Sequence, residues 1–211
     1  MNCSRSLKMT KPKVDMASNI IFATVISSIQ IEDKKLNKAL HNYAYKLKKE
    51  TKNKIVSNEG GFQSGDVVLQ QKPIKDFLDK VTPHLLKHVD LYAIQGQRSV
   101  EITNLWFNIN KQHDLNWSHI HLGGADFSAA YYIDVPPNSG DIWFKNPDIG
   151  THVGEIFKFE KKSWNPFNSS FWHFNPKETQ LLIFPSSLEH YVKPNQSRKD
   201  RISLSFNFKV F

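Results

Sequence analysis

Between Glu32 and Lys54, apolar residues recur at Leu36, Leu40, Tyr43, Ala44 and Leu47 with lysines on the opposite side. That spacing predicts an amphipathic helix. Gly60, Gly61 and Gly65 interrupt the pattern, and from Pro73 to His88 it returns through Ile74, Phe77, Leu78, Val81, Leu85 and Leu86 as a second helix. After Val100 the texture changes to short β-branched and aromatic runs separated by Pro, Gly and Asn. These predict strands over 99–109, 117–121, 127–135, 140–145, 169–174, 179–184, 189–193 and 201–210. A mainly β chain with N-terminal helices and this many short strands suggests a closed or double-sheet jelly roll braced by the helices.

The segment Asp148 to Ser170 breaks that rhythm with Gly150, Gly154, three lysines, Trp164 and Pro166. It reads either as a lid beside the barrel mouth or as a tolerated surface insertion.

At 211 residues and 39% hydrophobic content, the chain suits a tail over 1–20 followed by one domain over 21–211. One cysteine, Cys3, excludes an internal disulfide framework and fits a reducing compartment. Neither a signal-peptide run nor 18 consecutive apolar residues occurs, so the expectation is a soluble protein of a cytoplasm, the host's if the source is viral, with no membrane partner. The net charge of +8 invites a nucleic-acid reading. The charge is dispersed over Lys8–Lys13, Lys46–Lys54, Lys158–Lys162 and Arg198–Arg201, with no basic-aromatic stripe and no helix-turn-helix, zinc-finger or RNA-binding signature. A solvated basic surface, not a nucleic-acid partner, is the expectation.

The chemistry concentrates in His119, His121, His190 and Arg201. Side chains at i and i+2 of an extended run share one side of a sheet, and a third imidazole from a later strand completes one face of a metal's coordination sphere. Eleven residues after His190, enough for a turn and the next strand, Arg201 arrives beside that metal. There its guanidinium fork can hold the far carboxylate of a small diacid. Alternation along the last strand places Arg201, Ser203, Ser205 and Asn207 on one side, and Ile202, Leu204, Phe206 and Phe208 on the other. The bland readings are a structural ion pair for Arg201, core packing for Tyr132, and core or rim packing for Trp106, Trp117, Trp143 and Trp172. His113, His152 and His173 read as surface or substrate-side residues.

The runs His119-Ile-His121, Ser128-Ala-Ala-Tyr-Tyr132 with Pro136-Pro-Asn-Ser-Gly140, Ile183-Phe-Pro-Ser-Ser-Leu-Glu-His190 and Arg201-Ile-Ser-Leu-Ser-Phe-Asn207 resemble the iron- and 2-oxoglutarate-dependent oxygenases. They are similar in particular to a small branch found in marine bacteria and cyanophages, to which Gly60-Gly-Phe-Gln-Ser64 also corresponds. The resemblance covers roughly residues 55–209. It implies a double-stranded β-helix, a jelly-roll or cupin-like fold, with Fe(II) at its open end. It further implies 2-oxoglutarate as cosubstrate, O2 as oxidant and ascorbate as a candidate reductant. His119, His121 and His190 match the metal ligands; Arg201 and Ser203 would bind the C5 carboxylate, with Tyr132 bonding it from a neighbouring strand and Asn108 a further pocket candidate. The implied reaction couples decarboxylation of 2-oxoglutarate to succinate and CO2 with hydroxylation of a C–H bond, in a small molecule or in a peptidyl residue such as proline.

The chain departs from the usual pattern of two histidines and one carboxylate by placing His121 where the acid normally stands. Asp126 and Asp114 are the nearby acids that could substitute. Two other classes remain open. One is a three-histidine cupin-type dioxygenase without 2-oxoglutarate; the other is a catalytically silent jelly-roll binding module. Substrate identity and oligomeric state are not encoded in any motif.

Overall fold

A computed structural model describes residues 22–121, 123–148 and 160–211; the tail expected over 1–20 and much of the 148–170 segment lie outside them. In chain order the elements are β1 (Ser27–Gln30), α1 (Lys34–Glu50), β2 (Asn58–Glu59), β3 (Phe62–Gln63), α2 (Lys72–Asp90), β4 (Val100–Asn110), β5 (Leu115–His119) and β6 (Phe127–Asp134). They continue as β7 (Ile142–Lys145), β8 (Phe171–Phe174), β9 (Gln180–Pro185), β10 (His190–Val192) and β11 (Arg201–Val210). Two antiparallel sheets result, β1-β9-β6-β11-β4-β3 and β2-β5-β10-β7-β8. This is the helix-braced jelly roll that the hydrophobic pattern suggested.

The helices cover the outer face of the six-stranded sheet. Asp33 caps α1 by accepting the Leu36 amide at 2.9 Å, and Thr51 ends it. Leu40 and Ala44 of α1 and Ile74, Phe77, Val81 and Leu85 of α2 are fully buried. They belong to one cluster with Ile202, Leu204, Phe206 and Phe208 of β11. Each large side chain buried there contributes about 1.5–3 kcal/mol by leaving water. The odd positions of β11 point the other way, between the sheets, where a smaller cluster around Tyr132, Ile142, Phe144, Leu182 and Phe184 packs one end of the sandwich. The remainder of that interior is a cavity of about 310 Å³.

Three strands, β1, β2 and β3, have no counterpart in the sequence expectation. β1, β2 and β3 are short edge pieces in the helical half; Gly60 and Gly61 reverse the chain between β2 and β3 with φ of +67° and +62°. A Cβ on Gly60 would stand 2.0 Å from Asp114 Oδ1, so only glycine fits that turn. The strand expected over 117–121 is instead β5, ending at His119. His121 lies beyond it, held by its amide donating to the Ser186 carbonyl at 2.9 Å. Among the described residues no helix is long and apolar enough to cross a membrane.

Candidate active site

Three cross-strand rows build the floor of the cavity. Tyr132, Ser203 and Asn108 stand side by side on β6, β11 and β4; Ala130, Ser205 and Trp106 form the next row, and Ser128, Asn207 and Asn104 the one after. Successive rows on one face lie about 7 Å apart along the strands. Arg201 stands before the first row, and all ten side chains line the same cavity.

The roof carries the histidines. His119 of β5 and His190 of β10 are directly paired in register, and their ring centroids lie 4.4 Å apart. His121 joins them at 4.9 and 5.1 Å, and one ligating nitrogen from each ring lies within 4.8 Å of the others. His119 donates from Nδ1 to the Trp117 carbonyl at 2.6 Å, and His190 from Nδ1 to the Leu188 carbonyl at 2.8 Å. Each bond uses the main chain two residues upstream and leaves Nε2 as the lone-pair donor, the arrangement that orients metal-bound imidazoles. Burial holds all three rings neutral: His190 is depressed to about 3 and His121 to about 4, chiefly by desolvation and secondarily by the neighbouring His119; His119 is lowered by desolvation too. Three neutral imidazoles with converging nitrogens suit a divalent transition metal.

Opposite stands Arg201, 2% exposed. Its Nη1 donates to the carbonyls of Ser139 at 2.7 Å and Gly140 at 3.2 Å. Among the described residues no carboxylate pairs with it, which disposes of the structural ion pair as its explanation. Burial pulls its pKa down to about 10, with the nearby Tyr132 and Asp114 opposing that shift, so it remains a cation. An uncompensated buried cation is costly unless a ligand supplies the anion. Tyr132, 3% exposed, faces this region as expected; desolvation raises its hydroxyl far above the usual range and keeps it neutral. Tyr131 points to the opposite side, against Phe77, with its hydroxyl on Asn37. Asn108 donates to Ser205 Oγ at 3.3 Å, while its buried Oδ1 has no partner.

The candidate acids go elsewhere. Asp126 accepts the Val210 amide at 2.8 Å, at the far end of β11, and Asp114 accepts the Lys111 amide at 2.6 Å within the turn against Gly60. His113 is exposed in a turn with φ +73°, and His173 stacks on Trp143 and bonds Asp141 on the outer sheet face. His152 lies outside the described residues. Trp106 lines the cavity and Trp117 its exposed rim, whereas Trp172 stands at the edge of the five-stranded sheet. Sequence reasoning missed the carbonyls of Ser139 and Gly140, and it missed Gln63, Ser64, Asn104 and Ser128 as lining residues. Gly60-Gly-Phe-Gln-Ser64 and Pro136-Pro-Asn-Ser-Gly140 were legible as motifs, but not as walls of this site.

Residues 104–207 match the family described as "Putative 2OG-Fe(II) oxygenase". Over that stretch, 104 of the 211 residues, the chain is similar to the Fe(II)- and 2-oxoglutarate-dependent oxygenases. Its fold is similar to that of a prolyl-4-hydroxylase from Pseudomonas putida, with TM-score 0.62 and 15% identity over 88% of this chain and 92% of that one. A viral collagen prolyl hydroxylase from Paramecium bursaria Chlorella virus-1, in complex with 2-oxoglutarate, gives 0.55 at 14% identity over 87% and 94%. HygX from Streptomyces hygroscopicus, with nickel and 2-oxoglutarate bound, gives 0.60 at 10% identity over 88% and 83%. No curated protein matches the chain in sequence.

Proposed function

We propose that this chain is a dioxygenase that uses Fe(II), 2-oxoglutarate and O2 to hydroxylate a C–H bond of a small-molecule or peptidyl substrate. The observation that carries the reading is Arg201: a buried guanidinium, unpaired by any described carboxylate, in the same cavity as three converging imidazoles. A cation at one end and a metal at the other define a receptor for a short diacid with a keto group beside one carboxylate. HygX and the viral hydroxylase, which share the fold, were solved with that molecule bound.

In this reading His119, His121 and His190 hold the metal through their free nitrogens. When bound, Fe(II) with 2-oxoglutarate supplies the oxidising chemistry, in which O2 is consumed, succinate and CO2 are released, and one oxygen atom enters the substrate. Arg201 binds the distal carboxylate by charge-assisted hydrogen bonds, and the Ser139 and Gly140 carbonyls fix the direction in which its free N–H groups point. Ser203 and the neutral Tyr132 hydroxyl donate to the same carboxylate from the first row, while Asn108 borders it. His121 packs on Trp106 of the second row, so the third row, Ser128, Asn207 and Asn104, falls on the far side and faces the substrate. Holding the target bond there, away from bulk water, is the protein's share of the chemistry.

The test is oxygen exposure of protein loaded anaerobically with Fe(II) and 2-oxoglutarate, with succinate measured. Succinate formed without added substrate, and lost in Arg201→Ala, supports the reading. Metal binding without any succinate moves the assignment to a three-histidine dioxygenase independent of 2-oxoglutarate, and absence of metal binding moves it to a binding module.

A further inference from the structure

The three imidazoles are not held alike. His119 and His190 sit on paired strands, and each ring is locked by an Nδ1 hydrogen bond to a main-chain carbonyl. His121 lies past the end of β5, and its ring makes no hydrogen bond among the described residues. Apart from the two other histidines, the aromatic ring that it meets among the described residues is Trp106, at a centroid distance of 5.6 Å and a tilt of 45°. Trp106 belongs to β4, which is flanked by β11 and β3 in the six-stranded sheet, so its indole approaches His121 from the floor of the cavity on a rigid strand.

We propose that Trp106 is the positioning residue for His121, setting by ring packing the orientation that hydrogen bonds set for His119 and His190. The proposal rests on the three-histidine metal site described above. A ligand just beyond a strand end, with no bond to fix its ring, samples other rotamers unless a neighbour fills that space. An indole tilted against an imidazole restricts that freedom and adds the attraction of tilted aromatic pairs. It does so without contributing a charge or a competing hydrogen bond. Neighbours that orient metal ligands typically change metal affinity by about 10–100-fold when removed.

The experiment measures Co(II) affinity from the visible absorption of the bound ion, in wild type, Trp106→Leu, Trp106→Phe and His121→Asp, and in the Leu and Asp changes combined. Trp106→Leu is expected to weaken binding about tenfold. Trp106→Phe, which retains a ring, is expected to restore most of that loss. In the His121→Asp background, where there is no imidazole to hold, Trp106→Leu is expected to change affinity little. Should the leucine variant not fold, Trp106→Gln replaces it throughout.

Equal Co(II) affinity in Trp106→Leu and wild type overturns the proposal and leaves the metal site standing. So does an equal loss whether Trp106→Leu is made in wild type or in His121→Asp, or a loss in the phenylalanine variant as large as in leucine. A wild-type protein that binds no Co(II) removes the three-histidine site itself, and the proposal with it.

Discussion

Arg201 lies against the backbone of Gly140, its Nη1 3.2 Å from the Gly140 carbonyl oxygen and 3.0 Å from where a Cβ on that glycine would stand. The same Cβ would come within 2.2 Å of the Lys193 carbonyl, and Gly140 has φ +92°. Gly140→Ala is therefore expected to displace the turn and the guanidinium together. The half-saturating concentration of 2-oxoglutarate should rise about tenfold or more, with a smaller loss of Co(II) affinity, because Gly140 touches Arg201 directly and reaches His190 only through the pairing of β7 with β10. Titration of both ligands checks this; a loss confined to the metal would be inconsistent with it.

The three candidate ligands, His119, His121 and His190, are uncharged, which sets the direction of a second prediction. His121→Asp supplies the carboxylate common in this class of iron site and adds one negative charge beside the metal. Fe(II) affinity should increase by about tenfold or more, measured by anaerobic competition with a chelator. Unchanged affinity would mean that position 121 does not face the ion.

Helix packing and site chemistry should separate. Leu40 is fully buried between α1 and the six-stranded sheet, away from the cavity. Leu40→Ala is expected to cost about 2–5 kcal/mol of stability. Succinate formation at a temperature where the variant remains folded should stay within about twofold of wild type. Denaturant unfolding and a rate assay measure the two effects.

The metal-free protein should be acid-sensitive in a defined window. Burial lowers His88 below its ordinary value of 6.5, and burial, with the neighbouring His119 second, lowers His190 to about 3. Below pH 6.5 the unfolded chain therefore binds more protons than the folded one, so stability is full above that pH and falls as the pH drops toward 3. His190 alone accounts for on the order of 2 kcal/mol lost at pH 5. Melting curves of chelator-treated protein between pH 7.5 and 5 should show the decline, and a flat profile would contradict the burial argument.

The parts of the fold legible in the sequence are those written in periodicity. Leu36, Leu40 and Ala44 marked α1, and the alternation from Arg201 to Phe208 separated the two faces of β11, with Arg201 on the cavity side. β2 and β3 were hidden because two-residue strands beside paired glycines carry no period. His119, His190 and Arg201 were recognisable from residue type and spacing. The Ser139 and Gly140 carbonyls were not, because a main-chain acceptor has no residue type. The contact between Trp106 and His121 joins two elements whose approach no local pattern encodes, and Trp106 read equally well as packing.

The three imidazoles and Arg201 should act on one ligand from its two ends. The most direct measurement is the affinity for 2-oxoglutarate without oxygen, with and without Co(II), in wild type, His190→Ala and Arg201→Ala. The structure predicts tight binding only in metal-loaded wild type, weakened about 100-fold by loss of either residue or of the metal. Binding indifferent to the metal and to both substitutions would contradict it.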